Sequence, residues 1–224
     1  NVLLIEKDGK LGLINFNGNE ILEANYEKIY ILKGIKDTLI TEKDGKKGLV
    51  NNAGQILVEN KYDEIKSLGV DTKLYIVKSN NKYGIEGILD CKYQEIKALN
   101  NKDIYCVKED GKYKVINSEG KTVFNDKFDN IETIKDNIIV YKYNNKYCAY
   151  NIENNKKLSN TYKTLKYTSN GLFIARTSNN YGLIDINGEI KIKQEYANIN
   201  YYQGLNIYEL EGKNSDFANQ VSGL

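Results

Sequence analysis

The chain has 224 residues, 28% charged and 41% hydrophobic, which is enough apolar material for a folded core. Its 32 basic residues against 30 acidic ones leave a net charge of +2, which argues against nucleic-acid binding by bulk charge, and no apolar run approaches the ~18–20 residues of a membrane span. With no His, the Ser-His-Asp and Cys-His constellations and His-ligated zinc or haem are excluded, and three Cys are too few for an all-thiolate zinc site.

In chain order, the apolar run Leu3-Leu4-Ile5 leads through the pair Asp8-Gly9 into Lys10-Leu11-Gly12-Leu13-Ile14. That string returns as Lys46-Lys47-Gly48-Leu49-Val50 and Lys82-Tyr83-Gly84-Ile85, then as Lys112-Tyr113-Lys114-Val115-Ile116, Lys146-Tyr147-Cys148-Ala149-Tyr150 and Asn180-Tyr181-Gly182-Leu183-Ile184. Anchors at 12, 48, 84, 114, 148 and 182 lie 36, 36, 30, 34 and 34 residues apart. A second landmark keeps the same register. An aromatic residue stands 14 positions after the anchor at Tyr26, Tyr62, Phe128, Tyr162 and Tyr196, with an aliphatic three later at Ile29, Ile65, Ile131, Leu165 and Ile199. In the third copy this gap shrinks to nine, at Tyr93, so that copy has lost five residues. A fixed period of this length is the mark of a repeat architecture.

Each copy reads as strands joined by tight turns. The run before the anchor (Tyr75-Ile76-Val77, Tyr105-Cys106-Val107, Ile139-Val140-Tyr141, Phe173-Ile174-Ala175) is short and apolar on both faces, as in a strand buried on two sides. The pairs Asp8-Gly9, Asp44-Gly45, Asn80-Asn81, Asp110-Gly111, Asn144-Asn145 and Ser178-Asn179 predict two-residue hairpins, because Asp, Asn and Gly tolerate positive φ. A second turn at Asn17-Gly18, Ala53-Gly54, Glu119-Gly120, Asn154-Asn155 and Asn187-Gly188 leads to a third strand with the apolar column Leu22, Val58, Phe124, Leu158 and Ile192. The segment after the aromatic landmark can form a fourth strand, and no stretch carries a helical period. A partial seventh copy begins near 206, with Ile207-Tyr208-Glu209. Residues 1–210 are therefore expected to form a single array, and 211–224 a tail or cap, with 215–221 either a short helix or frayed. The fold class is all-β, six to seven antiparallel β repeats of ~34 residues. It is expected to be propeller-like, with an open solenoid as the alternative.

The unit of apolar strand, [DN]-[GN]-K-aromatic-G-hydrophobic, Gly-containing turn and K/N-Y-[DE]-x-I resembles the bacterial WG β-repeat over residues 3–205. The Trp of that pattern is replaced by Leu11, Lys47, Tyr83, Tyr113, Tyr147 and Tyr181, and its Gly by Lys114 and Cys148. The resemblance implies a repeat scaffold assigned to binding, often carried on larger proteins, and brings no catalytic residues.

Among candidate sites, Tyr83, Tyr113, Tyr147 and Tyr181 share one repeat position. If exposed they would make an evenly spaced ladder for sugar rings or extended peptides; the alternative is packing between repeats. Asn15, Asn51, Asn117, Asn151 and Asp185 offer oxygens three residues after the anchor, for a ligand or, as expected, for Asx turns. Glu27, Asp63, Glu64, Glu95 and Asp129 would form an acidic patch if that end of every repeat faced one rim. Lys10, Lys46, Lys82, Lys112 and Lys146 form either a basic stripe or an edge charge against aggregation. The shortened third copy is expected to leave a notch, bared by Gly84 and Gly87 and lipped by Glu86 and Asp90, where a partner's loop could dock. Cys91, Cys106 and Cys148 occupy unrelated repeat positions, so a disulfide framework is not expected.

The expected function is a non-catalytic scaffold for a protein partner, with no cofactor, no metal and no nucleic acid. A carbohydrate-binding module of a bacterial envelope is the alternative, and a glycosidase-like enzyme on a propeller ranks below it because no carboxylate pair is singled out. A bacterial origin, at the cell surface or outside the cell rather than in the cytoplasm, is favoured. Ile76 and Ile174 are expected in the core, and Lys46 and Lys82 at the surface.

Overall fold

The computed structural model describes residues 2–69, 73–99, 103–158, 160–169 and 171–212, leaving out the side chains of Ala98, Phe124 and Asn125. The short helix or frayed end expected over 215–221, the tail from residue 213 and the Phe124 side chain lie outside the described residues.

Among the described residues every regular element is a strand. The first sheet has β1 (Val2–Lys7), β2 (Lys10–Asn15) and β3 (Glu20–Tyr26). The second has β4 (Lys28–Ile31), β5 (Thr38–Lys43), β6 (Lys46–Asn51) and β7 (Ile56–Tyr62), and the third β8 (Glu64–Ser67), β9 (Tyr75–Ser79), β10 (Lys82–Ile85) and β11 (Leu89–Tyr93). The fourth has β12 (Glu95–Ala98), β13 (Ile104–Glu109), β14 (Lys112–Asn117) and β15 (Thr122–Phe128). The fifth has β16 (Asn130–Lys135), β17 (Ile138–Tyr143), β18 (Lys146–Asn151) and β19 (Lys156–Lys157), and the sixth β20 (Thr164–Tyr167), β21 (Leu172–Arg176), β22 (Tyr181–Asp185) and β23 (Ile190–Tyr196). The seventh holds β24 (Asn198–Tyr202) and β25 (Ile207–Glu211). The strands pair antiparallel in chain order, so each complete sheet is a four-stranded meander of the kind that makes a propeller blade.

Sheet and sequence repeat are out of phase by one strand. The chain kinks one residue after the aromatic landmark, and the next few residues pair with the first strand of the following repeat. At every kink the N–H donates to that strand: Glu27 to Glu42 O, Asp63 to Lys78 O, Gln94 to Lys108 O, Asp129 to Lys142 O, Lys163 to Arg176 O and Ala197 to Glu211 O, all at 2.7–2.9 Å. The aliphatic landmark is thereby carried into the next sheet, as in the pair Ile65↔Val77.

By internal contacts the chain divides into two compact units. One comprises residues 1–98, 105–110 and 116–122, the other 99–104, 111–115 and 123–224. In the first unit the core lies between successive sheets. Leu13, Leu22 and Tyr26 pack with Val50; Ile40, Leu49 and Val58 with Ile65 and Val77; Ile85, Leu89 and Tyr93 with Tyr105, Val107 and Ile116. In the second unit Ile174 and Leu183 pack with Ile199.

The turn chemistry follows the expected rule with one exception. Asp8, Asp44, Asn80, Asp110 and Asn144 have φ of 48–52°, each followed by Gly or Asn at positive φ. Ser178-Asn179 instead sits in a wider loop, residues 177–180, between the paired Arg176 and Tyr181. Ser has no ready access to the left-handed region, and the loop is held by Gln194, whose Oε1 accepts the Thr177 N–H at 2.9 Å and its hydroxyl at 2.7 Å. Two burial expectations are also corrected. The first strand of the first copy is open, with Leu3 42% and Leu4 53% exposed, and among the described residues β1 has a neighbour on one edge only. Ile76 is half-buried, and its neighbour Val77, 1% exposed, takes the core position.

Candidate functional site

Anchor glycines shape the inner strands of four sheets. In the first, second, third and sixth sheets two residues along the anchor strand span four along the strand that follows it, as with Leu11↔Tyr26 and Leu13↔Leu22. The resulting bulge presses backbone against the glycine. A Cβ would stand 2.6 Å from Leu22 O at Gly12, 2.6 Å from Val58 O at Gly48, 2.4 Å from Leu89 O at Gly84 and 2.5 Å from Ile192 O at Gly182. Where Cys148 replaces the glycine, the third strand is reduced to Lys156–Lys157 plus one isolated bridge, Tyr147↔Tyr162, and the thiol donates to Leu158 O at 3.4 Å. Lys114 keeps a full-length partner in β15, so losing the glycine does not by itself break the strand.

The kink end of each sheet is a set of closed charge ties. Glu27 lies 3.6 Å from Lys10 Nζ and accepts the N–H groups of Asp44 and Gly45 from the next repeat's turn. Asp63 takes Lys46 Nζ at 2.5 Å and the Asn80 N–H at 3.0 Å; Asp129 takes Lys112 and the Asn144 N–H at 3.0 Å. The turn N–H groups of Asp44 and Gly45 hold the Glu27 carboxyl below its usual range, and the Lys46 and Lys112 ammonium groups do the same for Asp63 and Asp129. Glu64 pairs with Lys66, and Glu95 with Lys97 at 3.2 Å. The carboxylates expected to form an acidic patch are therefore each matched to a lysine. The Asn column serves its turns: the Oδ1 of Asn15, Asn51, Asn117 and Asp185 accepts N–H groups two and four residues on.

The four ladder tyrosines are not alike. Tyr113 is 5% exposed and lies nearly parallel to Phe128, centroids 6.1 Å apart. Tyr83, Tyr147 and Tyr181 are half-buried under cations from the adjoining strand: Lys78 at 5.3 Å, Lys142 at 5.6 Å and Arg176 at 4.9 Å from the ring centroids. In the shortened third copy the hairpin closes through the Ile88 N–H and Ile85 O, 2.9 Å, with Gly87 at φ 70°. The Glu86 carboxylate there accepts Lys61 Nζ at 3.2 Å and the Tyr62 hydroxyl, whose pKa burial and this carboxylate push up to about 12. Asp90 is exposed.

At the other end of the sheets large apolar side chains are exposed among the polar turns. In the first unit Phe16, Ile31 and Ile56 are 64%, 72% and 48% exposed; in the second, Ile190 and Leu205 reach 66% and 73%. Ile31 ends β4 opposite Leu39. The loop after it turns Leu32 inward and is closed by Asp37, whose carbonyl accepts the Asn52 N–H at 3.1 Å and whose carboxylate accepts the Asn52 amide at 2.8 Å. Ile31 stands between two cavities, one of 580 Å³ walled by Val2, Leu32, Ile35 and Leu39, the other of 390 Å³ walled by Tyr30, Ile40 and Ile65. Both volumes lie in the range of ligand pockets. No group of three or more His, Cys, Asp or Glu is placed to hold a metal ion among the described residues, and no helix is long and apolar enough to cross a membrane. Sequence reasoning missed this surface because Ile31 is, in sequence, one more apolar residue of a fourth strand.

The sequence model of the WG containing repeat matches residues 48–83, 88–113 and 115–147. No curated protein sequence matches the chain at a significant level. Among solved structures, Hsv2p of Kluyveromyces lactis is similar at 10% identity and a TM-score of 0.39, over 83% of this chain and 71% of its own. A eukaryotic initiation factor is similar at 10% identity and a TM-score of 0.42, over 88% and 64%. The extracellular domain of a one-component system of B. thetaiotaomicron is similar at 9% identity and a TM-score of 0.33, over 94% and 38%.

Proposed function

We propose that this chain, which through residues 48–147 belongs to the WG containing repeat family, is a non-catalytic scaffold that binds a protein partner through the apolar ends of its sheets. The observation that carries this reading is Ile31, 72% exposed between two cavities whose apolar walls are bordered by Lys36, Asp37 and Asn52 in one and by Lys33 and Lys66 in the other. An isolated exposed isoleucine needs no explanation, but one flanked by sockets on both sides can interdigitate with apolar side chains of a partner. Burying such a side chain contributes roughly 1.5–3 kcal/mol. The opposite end of the sheets has its carboxylates already matched by Lys10, Lys46 and Lys112, which leaves less to offer a partner.

A photo-crosslinking residue at position 31 identifies the partner, and the purified partner is then titrated with variants. Ile31→Asp is expected to weaken binding at least about tenfold, the equivalent of ~1.4 kcal/mol, and Lys10→Ala to leave it within about twofold. Equal affinity of both variants with the unaltered chain overturns the reading.

A further inference from the structure

The break in the fifth sheet opens a further cavity, in the second unit and with a different chemistry. Beyond β19 the chain returns to β18 through the Tyr147↔Tyr162 bridge, and a space of 320 Å³ lies between this broken strand and the sixth sheet. Its polar lining comes from Asn160, Thr161, Thr177 and Gln194, with Ile190 as an apolar wall; none of its lining side chains is charged. Gln194 is oriented by the two bonds its Oε1 accepts from Thr177, and its Nε2 keeps two N–H donors without a partner among the described residues. Asn160 reaches the hydroxyl of the buried Tyr162. Thr161 is exposed at the mouth, and Ile190 is 66% exposed beside it.

The lining selects its ligand by exclusion. An ionic ligand would give up water with no counter-charge in the cavity. A hydrocarbon would give the Gln194 Nε2 and the Thr161 hydroxyl nothing to bond. A ring carrying hydroxyls on its edge and C–H groups on its face satisfies both parts, the hydroxyls meeting Gln194, Thr161 and Asn160, and the face meeting Ile190. We propose that this cavity is a subsite for a neutral saccharide unit. It is independent of the Ile31 surface, which belongs to the first unit.

The test is saturation-transfer NMR on the full chain with maltotriose, cellotriose, mannotriose and chitotriose as probes and trigalacturonic acid as the charged control. At least one neutral trisaccharide is expected to receive saturation, and the acid none. Thr161→Val, nearly isosteric and at an exposed position, should weaken that binding roughly three- to tenfold, the loss of one hydrogen bond, with an unchanged urea midpoint. Gln194→Ala should weaken it at least as much, and Ile31→Asp should leave it unaltered, so failure here and failure of the protein-binding reading are told apart. No transfer to any neutral probe, transfer that survives both cavity substitutions, or transfer to trigalacturonic acid alone overturns the proposal.

Discussion

The glycine in the second strand of four of the six repeats does its work through what it lacks. At Gly48 the added Cβ meets Val58 O at 2.6 Å, and a backbone carbonyl held in a sheet has little freedom to yield. Gly48→Ala is therefore expected to cost about 1–3 kcal/mol as overpacking. Gly45, three residues away, has positive φ and nothing within 4 Å of its would-be Cβ, and Gly45→Asn should stay within about 0.5 kcal/mol because Asn tolerates that conformation. Urea midpoints of the two variants measure the difference, and equal losses would mean the bulge does not press on the glycine. Burial gives a second comparison. Ile174, 3% exposed between Leu183 and Ile199, should lose about 2–4 kcal/mol as Ile174→Ala. Ile76→Ala, at a half-buried position, should lose less than half as much. The period alone assigned both isoleucines to the core, because alternation along a strand does not say which face its neighbour covers more fully.

At the scale of strands and turns, the kink after the aromatic landmark converts a row of hairpins into linked sheets. Its carboxylates join a lysine of their own repeat to the turn of the next, and all three are held below the usual carboxylate range of about 4. A carboxyl with a lowered folded-state pKa stabilises the fold fully above its unfolded value. That contribution is lost as pH falls from about 4 through the lowered folded-state value. The triple variant Glu27→Gln, Asp63→Asn, Asp129→Asn should thus show a flatter dependence of urea midpoint on pH below about 5 than the unaltered chain, while the two differ little in slope above pH 6. Parallel curves through the acid range would remove these ties from the account of stability. The turns show how far composition reaches. Asp-Gly and Asn-Asn produced two-residue hairpins wherever they occur before the second strand, and Ser178-Asn179 did not, because its closure came from Gln194 in a distant strand. The acid one residue after Tyr26, Tyr62 and Phe128 was visible in the sequence, together with a lysine after each first turn. Their pairing was not, since it depends on the chain changing sheets at that residue.

For the molecule as a whole, the cysteines report on both compact units without any added label. Cys106 belongs to the first unit and Cys148 to the second; both are buried, and burial pushes the Cys106 thiol up to about 12. Neither should react with a thiol reagent at pH 8 in the native protein, whereas the half-buried Cys91 should react slowly. The unbroken period from Leu3 to Leu205 leads us to expect one cooperative array, so Cys106 and Cys148 should become reactive at the same urea concentration. Separate midpoints would mean that the two units unfold independently. What the sequence by itself determined is the all-β class, the number of copies and the positions of most turns, because these follow from the ~34-residue period, from short apolar runs and from which residues accept positive φ. Tertiary structure alone decided that the fourth strand belongs to the next sheet, that Glu86 is held by Lys61 and Tyr62, that Tyr113 is buried while its three counterparts lie under cations, and that Ile31 stands between two cavities. Each of these depends on which face of one sheet meets the next. That relation brings together residues of different copies, and the period of any single copy does not contain it.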